Sequence, residues 1–216
     1  MLDYSPREER LNVLTHAFGL ILSVLSLFLL WFRANLYDDI WHSVGFGVFG
    51  VSLVVLYAAS TFYHYEKDAQ RRMKLKIFDH AAIYVLIAGT YTPFTLITLS
   101  GKVAWTAFGI AWGFAVAGII LKLFFTGRYK LFSTLMYVLM GSIILFFMEA
   151  LNEKLAWQGI QWLIVGGISY VIGAVFYSIK KIKYNHAIFH IFVLLGSFSH
   201  FMAVFFYVLP IKTTII

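Results

Sequence analysis

Of the 216 residues, 61% are apolar and 12% carry a formal charge, against about 45–50% and about 25% in ordinary soluble domains, so a water-soluble globule could not hide the apolar surface. Cysteine is absent, which excludes disulfide frameworks, thiolate metal sites and cysteine nucleophiles and leaves any metal to imidazole or carboxylate ligands. The net charge of +7 is divided into short strips between apolar runs, a pattern that suits an anionic lipid surface and is too broken for a nucleic-acid partner.

Seven runs reach the roughly 20 residues that a membrane-spanning helix needs: 13–33, 41–64, 77–99, 103–125, 131–150, 159–179 and 187–209. The sequence therefore predicts an all-α membrane protein, a single seven-transmembrane bundle over 1–216 with a short cytoplasmic N-terminal segment of about 1–12. The first run is long and follows Arg7-Glu8-Glu9-Arg10, so it reads as a span rather than a cleavable leader. The second run carries Gly45, Gly47 and Gly50, the fourth Gly109-x-x-x-Gly113, and the sixth Gly166, Gly167 and Gly173, all expected at close helix contacts. Pro93 is expected to kink the third span. Lys122, near the end of the fourth, is expected to snorkel to the interface.

Lysine and arginine set the orientation. With the N-terminus cytoplasmic, the inner strips hold thirteen of them, including Arg71, Arg72, Lys180 and Lys181, and the outer strips only Arg33, Lys102, Lys154 and Lys212. The expectation is an N-terminus inside and, after seven spans, a C-terminus outside.

Ionisable groups inside spans are costly and point to function. By depth, His16, His64, His80, His186 and His190 fall in one slab at the cytoplasmic side together with Asp79, while His42 and His200 fall elsewhere. His186 and His190 are four apart and project from one helix face. Two such imidazoles can chelate a metal, and His64 from another helix would complete a three-histidine site with an open position. Ser60 lies four residues before His64, on the same face. Each feature has a plainer reading. An H-x-x-x-H pair also occurs without metal, a lone interfacial histidine can be an amphipathic anchor, and Asp79 can be a helix N-cap.

Ser60-Thr-Phe-Tyr-His64, Asp79, and Asn185-His186-Ala-Ile-Phe-His190 with His200 ten residues beyond resemble the motifs of the progestin and adiponectin receptor family. The opening Glu9-x-x-Asn12-x-x-Thr15-His16 and the short length are most similar to its bacterial, hemolysin III-related branch. The resemblance implies a zinc ion near the cytoplasmic face of the cell membrane, held by His64, His186 and His190, with Asp79 and Ser60 close to its water. It further points to hydrolysis of lipid amides, with membrane lipids or fatty acids as partners; as a zinc-dependent hydrolase the chain would use Asp79 as general base and Ser60 to orient the water or help stabilise the oxyanion. Two other functions stand beside it: a non-enzymatic sensor or regulator of membrane lipids, and a hemolysin-type pore. The pore ranks last, because no span carries a ring of polar residues. A retinal protein is excluded, since the seventh span has no lysine.

Overall fold

The computed structural model describes residues 4–126 and 130–208. Among them are seven helices long and apolar enough to cross a membrane, and no strand. We label them α1 (Pro6–Ala34), α2 (Ile40–Tyr65), α3 (Ala69–Pro93, continued by Phe94–Thr98), α4 (Gly101–Phe125), α5, α6 (Trp157–Ser178) and α7 (Asn185–Tyr207). α5 begins as Lys130–Ser142, tightens to a 3-10 helix at Ile143–Phe147 and closes with Met148–Asn152. Arg128, Lys212 and the last residue of the expected seventh span lie outside the described residues.

Two helices begin earlier than hydropathy alone predicts, and side-chain caps explain both. Ser5 Oγ accepts from the Glu8 amide at 3.2 Å with Pro6 at the first helical position, so α1 is helical well before residue 13. Asp68 accepts from the Arg71 amide at 2.9 Å, so α3 starts at Ala69 rather than 77. Asp79 is thus inside α3, ten residues after its start, and the N-cap role belongs to Asp68.

α1, α2 and α3 pack in sequence, α7 lies against both α1 and α6, and α4 and α5 close the remaining side. The outer surface is apolar, with Phe18, Ile21, Phe28, Trp31, Phe124 and Phe146 all exposed, as expected where lipid is the solvent. Pro93 leads into a π-helical stretch, in which the Leu99 amide bonds the Phe94 carbonyl at 2.8 Å. The missing proline amide is thereby followed by a wider turn.

The glycines divide. Gly45, Gly50, Gly166 and Gly173 sit tight against neighbouring helices as expected. Gly47, Gly109, Gly113 and Gly167 do not, since nothing lies within 4 Å of where their Cβ would stand. α4 packs instead along Ala104, Ala107, Ala111, Ala115 and Gly118, a stripe of small residues three or four apart. That stripe ends in Lys122, which is buried at 5% exposure rather than snorkelling outward. Its Nζ donates to Ser133 Oγ on α5.

Candidate metal and catalytic centre

α1, α2 and α7 bring four imidazoles together near the α2–α3 turn. His64 lies in the last turn of α2, and His186 and His190 in the first two turns of α7. Their ring centroids are 5.1 Å (His64–His186), 5.3 Å (His64–His190) and 4.3 Å (His186–His190) apart. Asn185 fixes the start of α7 by donating to the Tyr177 carbonyl of α6 at 2.9 Å. The chain reaches it through Tyr184 in the left-handed region, φ 60°.

The fourth imidazole is His16 of α1, its ring 3.8 Å from that of His190 and 6.0 Å from that of His64. One ligand atom each from His16, His64 and His190 lie within 4.8 Å of one another. His16 belongs to the same slab by sequence depth, but its entry into the cluster was not expected. The signal lay in the α1 spacing: Glu9, Asn12, His16, Gly19 and Ser23 are the buried stripe of this helix, repeating every three or four residues.

The partners of these rings set their tautomers. His64 Nδ1 donates to Glu9 Oε2 at 2.8 Å, because an ionised carboxylate only accepts; its Nε2 is then left as a lone pair. Thr15 Oγ1 lies 3.1 Å from His190 Nδ1 and also reaches the Leu11 and Asn12 carbonyls at 2.9 and 3.0 Å. A hydroxyl has one proton. With it directed to a carbonyl, Thr15 accepts from His190 Nδ1, and His190 too keeps its Nε2 lone pair. His186 Nε2 is 3.2 Å from His64 Nε2. Two nitrogens on one tetrahedral zinc, each at ~2.0–2.1 Å, stand ~3.3 Å apart. The separation and the tautomers both fit a metal held by Nε2 atoms. Without one, His186 Nε2 would donate to His64.

Glu9 is held in turn by Arg72 of α3, through a short charge-assisted contact. The guanidinium also donates to the Tyr63 and Glu66 carbonyls at 3.0 and 3.2 Å and covers the Tyr63 ring at 4.5 Å. Both charges are buried. Tyr4 stacks on His186 with centroids 4.6 Å apart.

Ser60 and Asp79 meet as well. Ser60 Oγ donates to Asp79 Oδ1 across α2 and α3. Both line a cavity of about 520 Å³ together with His16, His186 and His190. The volume lies within the ~300–1,000 Å³ typical of small-molecule sites. The rest of the wall is mainly apolar, with residues such as Leu86, Ile87, Phe94, Ile144 and Leu145, but it also carries Thr90, Lys122, Ser133 and Tyr170.

Of the three remaining histidines, His80 of α3 lines the same cavity, with Tyr137 Oη donating to its carbonyl at 3.0 Å, and the other two stand apart. His42 Nδ1 pairs with Asp39 at 2.9 Å at the opposite end of α2. His200 packs against Gly166 and Tyr170, farther along α7, although it does line the same cavity.

The family model of haemolysin-III-related proteins matches residues 4–201. The chain belongs to the haemolysin-III-related family. It is 45% identical to hemolysin-3 of Bacillus cereus over 94% of this chain and 93% of that protein. It is 44% identical to the hemolysin-3 homolog of Bacillus subtilis over 94% and 96%. A more distant relative is the human monocyte to macrophage differentiation factor, 29% identical over 93% of this chain and 84% of that one. No solved structure matches the chain. Within this haemolysin-III-related chain the matched region contains all four clustered histidines, Glu9, Ser60, Arg72 and Asp79.

Proposed function

We propose that this membrane protein is a zinc-dependent hydrolase of lipid amides, with its N-terminus and its polar site at the cytoplasmic face of the cell membrane. One observation carries the reading: three of the four clustered histidines, His16, His186 and His190, line one mainly apolar cavity with the Ser60–Asp79 pair. His64, His186 and His190 would hold the ion, with His16 beside them. His186 is preferred to His16 as third ligand for two reasons: it shares a helix face with His190, and its Nε2 already stands at a chelating distance from that of His64.

Zinc in such a site supplies Lewis acidity and lowers the pKa of water to ~7. The chain's own residues do the rest. The apolar wall takes the acyl chain and brings its carbonyl to the Ser60–Asp79 pair. Asp79 accepts a proton from water as the C–O bond forms, then returns it to the leaving nitrogen as the C–N bond breaks; the products are a fatty acid and an amine. Ser60 spends its proton on Asp79, so it orients this carboxylate rather than an oxyanion.

The test is fatty-acid release from N-acyl lipids, with zinc quantified in the same samples. His64→Ala, His186→Ala and His190→Ala should each lose zinc, and His200→Ala should keep it. Asp79→Asn should keep zinc and stability while the rate falls roughly 10²–10⁴-fold. Equal rates for Asp79→Asn and the parent at equal zinc would defeat the general-base role. No release by the parent from a broad lipid panel would leave a non-enzymatic lipid sensor.

A further inference from the structure

The mechanism above has no use for Lys122, yet its placement is unusual. Every other member of the buried stripe on α4 is alanine or glycine. Lys122 therefore points into the bundle from a helix that otherwise presents only small residues. Its Nζ donates to Ser133 Oγ and lies 5.7 Å from the Tyr137 ring. Among the described residues it forms no ion pair with a carboxylate, and it is the one lysine or arginine in the cavity wall. An ammonium buried beside hydroxyls and an aromatic face is incompletely compensated.

The charges around it define what is missing. With neutral imidazoles, Arg72 is paired with Glu9, and the Asp79 carboxylate, which acts on Lys122 only from beyond ion-pair distance, is held by Ser60. An ammonium on the cavity wall without a carboxylate in contact favours a ligand that brings negative charge.

We propose that Lys122, with Ser133, forms an anion subsite in the cavity wall, so that the lipid it admits is an acyl lipid with a negatively charged head, carboxylate or phosphate. This rests on the lipid-binding part of the function proposed above and requires no turnover. The acyl chain lies along Ile87, Phe94 and Ile144, and the head sits between α4, α5 and the histidine cluster.

The experiment is equilibrium binding to the purified full chain in zwitterionic nanodiscs, at a pH where fatty acid is ionised. Four probes of one chain length are compared: the fatty acid, its methyl ester, a lysophosphatidate and a lysophosphatidylcholine. The parent should bind each anionic probe at least roughly tenfold more tightly than its uncharged or zwitterionic counterpart, about what one charge-assisted hydrogen bond contributes. Whichever anionic probe binds more tightly identifies carboxylate or phosphate as the preferred head. Lys122→Met should abolish the preference while still binding the methyl ester, which also reports that it has folded. Lys122→Arg should retain the preference, and Ser133→Ala should reduce it. Equal binding of fatty acid and methyl ester by the parent, or an unchanged preference in Lys122→Met, overturns the subsite. Should Lys122→Met fail to fold, the parent's own preference and its reduction in Ser133→Ala decide. A preference that persists in a protein without amide hydrolysis sinks only the hydrolase, and failure of every probe to bind sinks both.

Discussion

Glu9 uses its two carboxylate oxygens on different helices, one on His64 Nδ1 and one on Arg72. Thr15, also on α1, serves His190. Hydrogen bonds of this kind to the far nitrogen of a ligating histidine fix its tautomer and raise its basicity, and their loss typically costs 10–100-fold in metal affinity. Thr15→Val keeps the shape of the side chain and removes the hydroxyl, both the acceptor for His190 and a donor to the α1 backbone. It should weaken zinc binding by about tenfold in a chelator competition with little change in thermal stability; parent affinity in this variant would remove Thr15 from the site. Glu9→Gln should weaken zinc binding by up to ~100-fold and also destabilise the fold, by about 3–5 kcal/mol if Arg72 is left buried without its counter-charge. The histidines were legible in sequence because depth alone places them in one slab. Glu9 stands out only as part of the opening motif, without a role, and Arg72 reads as one charge in a cytoplasmic strip; the early start of α1 and α3 carries them into the bundle and onto each other.

At the scale of the helix, the stripe that faces inward matters more than the presence of small residues. Gly109-x-x-x-Gly113 has the spacing of a contact motif, yet its face is open. The stripe that packs runs through Ala111, Ala115 and Gly118, a register the hydropathy of an all-round apolar helix cannot reveal. Gly118 leaves room on α4 for Tyr84 of α3, since a Cβ there would stand 2.3 Å from the Tyr84 ring. Gly118→Ala should therefore force Tyr84 aside and destabilise by about 1–3 kcal/mol. Gly113→Ala should change stability by less than about 0.5 kcal/mol, since nothing is displaced. Thermal unfolding of both variants in one detergent checks this, and equal behaviour would mean that the α3–α4 contact is looser than described. The same register accounts for Lys122: four residues after Gly118, it inherits the buried face. Pro93 was legible as a break in the α-helix, but its consequence, a π-helical turn rather than a simple kink, depends on how residues 94–98 pack.

For the whole molecule, the seven spans were legible because each is a long apolar run, and the structure alters their ends rather than their number. Orientation is a different matter, since no helix packing distinguishes one side of a membrane from the other and the Lys/Arg bias alone supports it. The bias has a physical basis: the α6–α7 connection carries Lys180, Lys181 and Lys183, and the turn after α5 only Lys154. The absence of cysteine gives a clean test, because single cysteines introduced into this chain are the only thiols a reagent can reach. Lys181 and Lys154 are both exposed in connections at opposite ends of the bundle, so neither substitution removes a buried side chain, and Lys154 gives up only an exposed hydrogen bond to Ser100. In intact cells, a membrane-impermeant maleimide should label Lys154→Cys and leave Lys181→Cys unlabelled until the membrane is opened. The reverse pattern would invert the bundle and move the histidine cluster to the outer face. Because the α6–α7 connection that carries Lys181 ends at Tyr184, two residues before His186, the side on which Lys181 is found is also the side of the proposed zinc site.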